Sequence, residues 1–202
     1  ITIRVPSEPL TPQLLESHRK DFQEAEANWL FVSIWFGLRP NEINNLKDTH
    51  LWRVESEKGY DVLLVYQSKL QLEDEDKKWK RIPVIFPEQV QALKLIRHHS
   101  DNENLDEPLS ATLKMPDGPT MRKIIKDPKN PKHVLKITPY AGRKGFVDLM
   151  RSKGQRDVDI TMWMGHQSPE TTFQFYKQKT VVAWTATSEV VKIKPKLEPA
   201  AG

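Results

Sequence analysis

Cysteine is absent from the 202 residues. That removes disulfides, thiolate zinc sites and cysteine nucleophiles together, and it fits a reducing compartment. No apolar run is long enough to cross a membrane, and the segment from Ile1 carries no signal-peptide pattern. Internal repeats and low-complexity blocks are missing too. No acidic cluster has metal-ligand spacing: "EDED" at 73 to 76 reads as a solvated loop tip, which argues against a metallonuclease; no metal and no cofactor are expected. The first residue is Ile rather than Met, so an N-terminal portion is expected to be missing.

What is present suits one soluble domain with a real hydrophobic core: 38% hydrophobic and 29% charged residues. The formal net charge of +4 permits phosphate contacts without establishing them.

Along the chain, residues 1 to 9 read as extended, with Pro6 and Pro9. Thr11 and Pro12 then form an N-cap and first helical position. A second helix is expected from Glu24 to Leu38, with Gly37 at its frayed end. Pro40 and Asn41 open a short one carrying Glu42, Ile43 and Leu46. "YDVLLVY" (60 to 66) and "KRIPVIF" (80 to 86) read as paired strands joined by a long, charged, mobile tip. A helix from Pro87 to about His99 places Val90, Leu93 and Ile96 at core spacing. Residues 100 to 136 read as a long connection with a short helix near Thr120 to Ile125. "TPYAGRKGFVDLMRSKG" makes a helix with Phe146, Leu149 and Met150 inward and Gly154 closing it. "DVDITMWMGH" makes a short helix ending at Gly165, and Ser168 caps another that carries Tyr176. The expected class is α+β, mainly helical, with a small antiparallel sheet.

Several polar residues sit where chemistry is possible. Arg39 falls where one helix stops and the next begins, and Glu42 one turn on can hold its guanidinium to face a phosphate. The preceding Gly-Leu fixes this arginine at a backbone corner, unlike an arginine of a solvated Arg–Glu pair. Lys69, at the end of a strand, can reach a neighbouring site from a defined position, with Lys77, Lys78 and Lys80 as competitors. Tyr140, Arg143 and Lys144 open a helix, with Tyr140 and Arg143 on one face, where a phosphate meets Arg143 and free N–H groups together. His166 lies in a Gly-His turn ahead of a capped helix. Tyr176, beside the better core candidate Phe175, is a hydroxyl that needs cations nearby to act as a nucleophile. Two arginines, a lysine, a histidine and a tyrosine suit phosphodiester cleavage without a metal.

In this order and local setting, the sequence resembles the catalytic domain of the tyrosine recombinases, the family of phage integrases and related site-specific recombinases. Gly37, Leu38, Arg39 and Glu42 match the family's Gly-Leu-Arg-x-x-Glu, and Lys69 in "QSK" its hairpin lysine. "TPYAGR" matches Thr-Pro-His-x-Leu-Arg. Gly165, His166, Thr171, Thr172 and Tyr176 match the Gly-His, Thr-Thr and nucleophile. The resemblance covers Leu10 to Lys179, giving residues 10 to 179 as the catalytic domain. Residues 1 to 9 are then a linker from a missing DNA-binding domain, and 180 to 202 a tail or inter-subunit arm. Tyr140 stands where the family most often has histidine and cannot carry positive charge at neutral pH; Gly142 replaces the common leucine. Some members place the tyrosine one residue earlier, where this chain has Phe175.

The resemblance implies that Tyr176 attacks a scissile phosphate in double-stranded DNA, forming a 3′-phosphotyrosyl link and releasing a 5′-hydroxyl. Arg39, Arg143 and His166 would stabilise the transition-state charge, Lys69 would protonate the leaving oxygen, and Glu42 would orient Arg39. Neither metal nor ATP is needed, because the covalent link conserves the bond energy. A homo-oligomer on DNA, a tetramer in the synapse, and a cytoplasmic, nucleoid-associated setting in a bacterial or phage-infected host are also implied, with no membrane partner. A type IB topoisomerase would use much the same chemistry within one subunit. A decayed DNA-binding module is the reading that Tyr140 alone favours.

Overall fold

In a computed structural model, the described residues are 8–57, 59–67, 75–102, 111–124, 126–127, 130–134 and 137–165. The expectations for the hairpin tip at 68 to 74, the helix at Ser168 and the tail at 180 to 202 lie outside them. In chain order the elements are α1 (Pro12–His18), α2 (Glu24–Phe36), α3 (Pro40–Asn44), β1 (Trp52–Glu57), β2 (Tyr60–Tyr66), β3 (Trp79–Pro83), α4 (Pro87–Asn102), α5 (Gly118–Met121), β4 (Lys126–Asp127), β5 (Asn130–Val134), α6 (Ala141–Ser152) and α7 (Asp157–Trp163). Helices dominate and the sheets are small and antiparallel, as the composition pattern requires. None of the described helices is long and apolar enough to cross a membrane.

The described residues belong to two compact units, Ile1–Lys47 with Gln91–Phe146 and Asp48–Val90 with Val147–Gly202; two of the three boundaries fall within α4 and α6, and the first lies between α3 and β1. The first unit is built on α2. Its start is fixed by Glu26, whose Oε1 accepts the Gln23 N–H at 2.9 Å. Apolar residues occupy nearly its whole circumference, from Ala27, Trp29 and Leu30 to Ile34 and Phe36, all at most 1% exposed. A helix apolar all round must be enclosed rather than lie on a surface. Thr11 Oγ1 accepts the Leu14 N–H at 3.1 Å, so α1 starts where Thr-Pro predicts. The expected end at Leu38 comes two residues sooner. Gly37 adopts φ 63, its N–H returns to Ser33 O at 2.9 Å, and the chain leaves in a left-handed cap rather than a frayed turn.

The connection from 100 to 136 carries its expected short helix earlier, at Gly118–Met121 rather than near Thr120 to Ile125. This is α5, capped by Asp117, whose Oδ1 accepts the Thr120 N–H at 2.7 Å. The connection also holds the antiparallel pair β4–β5, which has no apolar alternation to announce it. In α4, Leu93 and Ile96 are buried but Val90 is 45% exposed. Successive steps of three residues drift around the helix, so Val90 lies roughly 120° from Ile96 and off the buried face.

The second unit is a meander in the order β1-β2-β3, with Val54 opposite Leu63 and Leu63 opposite Ile82. β2 lies at the centre, and its run Val62, Leu63, Leu64, Val65 is buried on both faces. The returning strand spans Trp79–Pro83 rather than Lys80 to Phe86, and β1 is an addition to the expected hairpin. α7 packs against β3. The turn into α7 is closed by Gly154, at φ 80, and by an Arg151–Asp157 ion pair at 2.9 Å.

Candidate active site

The first unit brings two of the expected cations to one corner. Arg39 is the residue before α3, in extended backbone at φ −68, ψ 151. Its N–H donates to Glu42 Oε1 at 2.7 Å, and its Nη1 stands 3.6 Å from Glu42 Oε2. Glu42 is 4% exposed against 27% for Arg39. The carboxylate is therefore the buried anchor and the guanidinium the partly open group. Glu42 caps the short helix and pairs with the side chain that precedes it. An arginine has no acceptor to offer α3 in return, so only the carboxylate half of a capping box is made.

Arg143 approaches the same corner from α6. It is 1% exposed, and its Nη1 donates to the carbonyl of Gly37 at 2.7 Å. That carbonyl lies at the left-handed end of α2, where helix geometry supplies no partner and the dipole is negative. Arg143 therefore closes the C-terminus of α2 two residues before Arg39, and the "GLR" and "AGR" segments are tied by a charge-assisted bond.

Tyr140 does not share a face with Arg143. It is 42% exposed, in the turn before Ala141, while Arg143 is enclosed. The three-residue spacing works only inside a helix, and the helix begins one residue after Tyr140. The Tyr140 N–H turns back to Thr138 Oγ1 at 3.3 Å, and Ala141 N–H to Thr138 O at 2.9 Å, so Thr138 starts the helix as its position suggests. Lys144 is half-buried one residue beyond Arg143. Phe146 and Met150 face inward as expected; Leu149 is only half-buried, and Val147 takes a core position in its place.

Glycines decide how closely this corner packs. A Cβ on Gly142 would strike the side chain of Ser33, and one on Gly145 would overlap the carbonyl of Leu10, whose N–H donates to Ala141 O at 3.0 Å. A Cβ on Gly37 would meet the ring of Phe146. The Gly142 that departs from the expected leucine is thus the residue that admits α2 against α6. This role was missed in the sequence, although the small residues in "AGRKG" were the available signal.

Lys69, His166 and Tyr176 lie outside the described residues. Residues close before the first two are in contact, however: Gln67, just past β2, lies against Gly165, where a Cβ would overlap its carboxamide. Gln67 is 4% exposed and was not singled out in the sequence.

No protein-family model matches the sequence, and no curated protein matches it significantly. Solved structures do. The XerA recombinase is 19% identical with a TM-score of 0.53, matching 96% of this chain and 67% of its own. The Tn1549 transposon integrase in complex with circular intermediate DNA is 18% identical with a TM-score of 0.52, again over 96% and 67%. The fold is that of the tyrosine recombinases and integrases. The XerH site-specific recombinase bound to difH substrate is 17% identical with a TM-score of 0.50 over 89% of this chain. The present chain spans 52% of the length of that XerH chain and 67% of the other two.

Proposed function

We propose that this chain is the catalytic part of a site-specific DNA recombinase that cuts and rejoins duplex DNA through a covalent tyrosyl intermediate. The observation that carries the reading is the corner itself, where Arg143 holds Gly37 O at 2.7 Å and Glu42 holds Arg39. A pair of guanidinium groups fixed by backbone and buried carboxylate suits a phosphoryl group, whose transition state spreads negative charge over its equatorial oxygens. The fold supports the same reading, since the XerH and Tn1549 proteins that share it are bound to DNA in their structures.

In this proposal Tyr176 is the nucleophile and attacks the phosphorus, while Lys69 gives a proton to the departing 5′-oxygen. Arg39, Arg143 and His166 stabilise the charge. Tyr140, exposed beside this corner, offers a hydroxyl to a phosphate oxygen rather than a charge. The phosphotyrosyl bond conserves the energy of the broken linkage, so another 5′-hydroxyl reverses the step. Several copies acting on two duplexes make the exchange.

The test is an SDS-resistant protein–DNA adduct formed on a pool of nicked duplexes in EDTA, comparing the wild type with Tyr176→Phe and Phe175→Tyr. An adduct lost in Tyr176→Phe supports the reading. An adduct formed equally well by Tyr176→Phe, or by Phe175→Tyr alone, rejects Tyr176 as the nucleophile.

A further inference from the structure

The sheet of the second unit ends on β1. In the order β1-β2-β3 this strand has a neighbour on one side only among the described residues, and each of its residues is half-buried or exposed while the middle of β2 is enclosed. Edge strands are ordinarily blunted by proline, lysine, a bulge or an inward-pointing charge, because their free N–H and C=O groups pair with any strand that reaches them. "WRVESE" carries none of these. It runs in unbroken register with β2 from Trp52 to Glu57, with Arg53, Glu55 and Glu57 on one face and Trp52, Val54 and Ser56 on the other.

The backbone phase decides which groups the edge offers. Tyr66 N–H donates to Leu51 O at 2.9 Å, so Leu51 and Tyr66 are a bonded pair of the ladder. Bonded and unbonded pairs alternate along antiparallel strands. Arg53, Glu55 and Glu57 therefore direct their N–H and C=O groups to β2, and Trp52, Val54 and Ser56 turn theirs outward. The side chains then choose the partner. When β1 meets a second β1 antiparallel, with Val54 opposite Val54, Trp52 falls opposite Ser56 and the outward groups meet in phase. On the other face Arg53 stands opposite Glu55 of the second copy, once on each side of the dyad. Moving the dyad by one residue sets Arg53 against Arg53 or Glu55 against Glu55, which is unfavourable. Within one copy Arg53 Nε holds Glu55 Oε1 at 2.9 Å with both groups partly in solvent, so exchanging that partner costs little.

We propose that β1 is a self-pairing edge: two copies of this chain join through their β1 strands, antiparallel about Val54, into one continuous sheet. The interface is isologous, each copy presenting the same strand to the other. It lies wholly in the second unit and uses no residue assigned to cleavage.

The chain has no cysteine, so a single introduced one reports the register. Val54→Cys places two thiols on a bonded pair, with Cα atoms about 5.5 Å apart and within disulfide reach. Ser56→Cys places them four residues out of register, roughly 14 Å apart and beyond that reach. Under mild oxidation of the intact chain without DNA, Val54→Cys should form a covalent dimer and Ser56→Cys should not. Equal cross-linking by the two, or none by Val54→Cys, overturns the proposal. Charge reversals added to Val54→Cys test the partner. Arg53→Glu alone and Glu55→Arg alone should each lose the cross-link, since like charges then face each other across the dyad. Mixing these two chains should restore it as a mixed dimer, which also shows that both fold. Cross-links unchanged by the reversals, or not restored by mixing, would mean that β1 does not pair with itself in this register. Cleavage is not read, so failure of the proposed function and failure of this inference stay separate.

Discussion

Arginine–glutamate pairs occur in both units, and they do different things. On the outer face of the sheet, Arg81 reaches Glu55 at 3.7 Å and also pairs with Glu57, while Arg53 bonds Glu55 at 2.9 Å and stacks 4.5 Å from the centre of the Trp79 ring. These groups are 28% to 51% exposed. Each can be replaced by water at small cost, so the ladder smooths a surface. At the first unit's corner the carboxylate of Glu42 is 4% exposed and also caps a helix. There the pair fixes a direction. Burial of one partner turns an ordinary ion pair into a mount for the other.

The contrast can be broken most severely at the glycines. Gly145→Val places side-chain atoms onto the Leu10 carbonyl, backbone that cannot move aside without loosening the Leu10–Ala141 hydrogen bond that ties the segment before α1 to α6. A loss on the order of 4 kcal/mol is expected, at the large end for a single substitution, seen as a thermal midpoint lower by roughly 8–16 °C. A midpoint within a degree or two of wild type would mean the corner is not packed as described. Glu42→Ala should cost about 1–2 kcal/mol from the lost cap and the unheld guanidinium. Glu42→Gln, which still accepts the Arg39 N–H, should recover much of that stability in urea melts but not the orientation of Arg39. Smallest is Arg81→Ala, expected within about 0.5 kcal/mol of wild type, as for exposed pairs generally. If urea melts show Arg81→Ala as costly as Glu42→Ala, the distinction between mount and surface ladder fails.

Much of this was legible in residue order. Thr11-Pro12, Pro40-Asn41 and "YDVLLVY" gave their elements because each signal is local: a cap, a fixed φ, a continuous apolar run. β1 was overlooked although "WRVESE" alternates strictly. Its outward half is Arg53, Glu55 and Glu57, which reads as a solvated segment until β2 is beside it. β4–β5 had no hydrophobic signal at all. In the candidate site, Arg39 and Glu42 could be paired from their spacing alone. The burial of Arg143 and its bond to Gly37 could not, since the two are 106 residues apart. Tyr140 was assigned to the wrong face because its place relative to the first helical residue decides its direction, and helix ends are the least legible part of a sequence. Gln67 was silent for the same reason as Gly142: its role lies in what presses against it.

The central claim is that the Arg39–Arg143 corner neutralises charge on a scissile phosphate. The direct measurement is single-turnover adduct formation by wild type and Arg39→Ala on two substrates, one with an ordinary scissile phosphate and one with a neutral methylphosphonate there. Arg39→Ala should be slower by ~10²–10³ on the phosphate, the usual loss for one donor to a developing oxyanion. On the methylphosphonate, which has lost the charge the guanidinium serves, it should approach the wild-type rate. An equal deficit on both substrates would contradict the account, because Arg39 would then be acting on something other than phosphate charge.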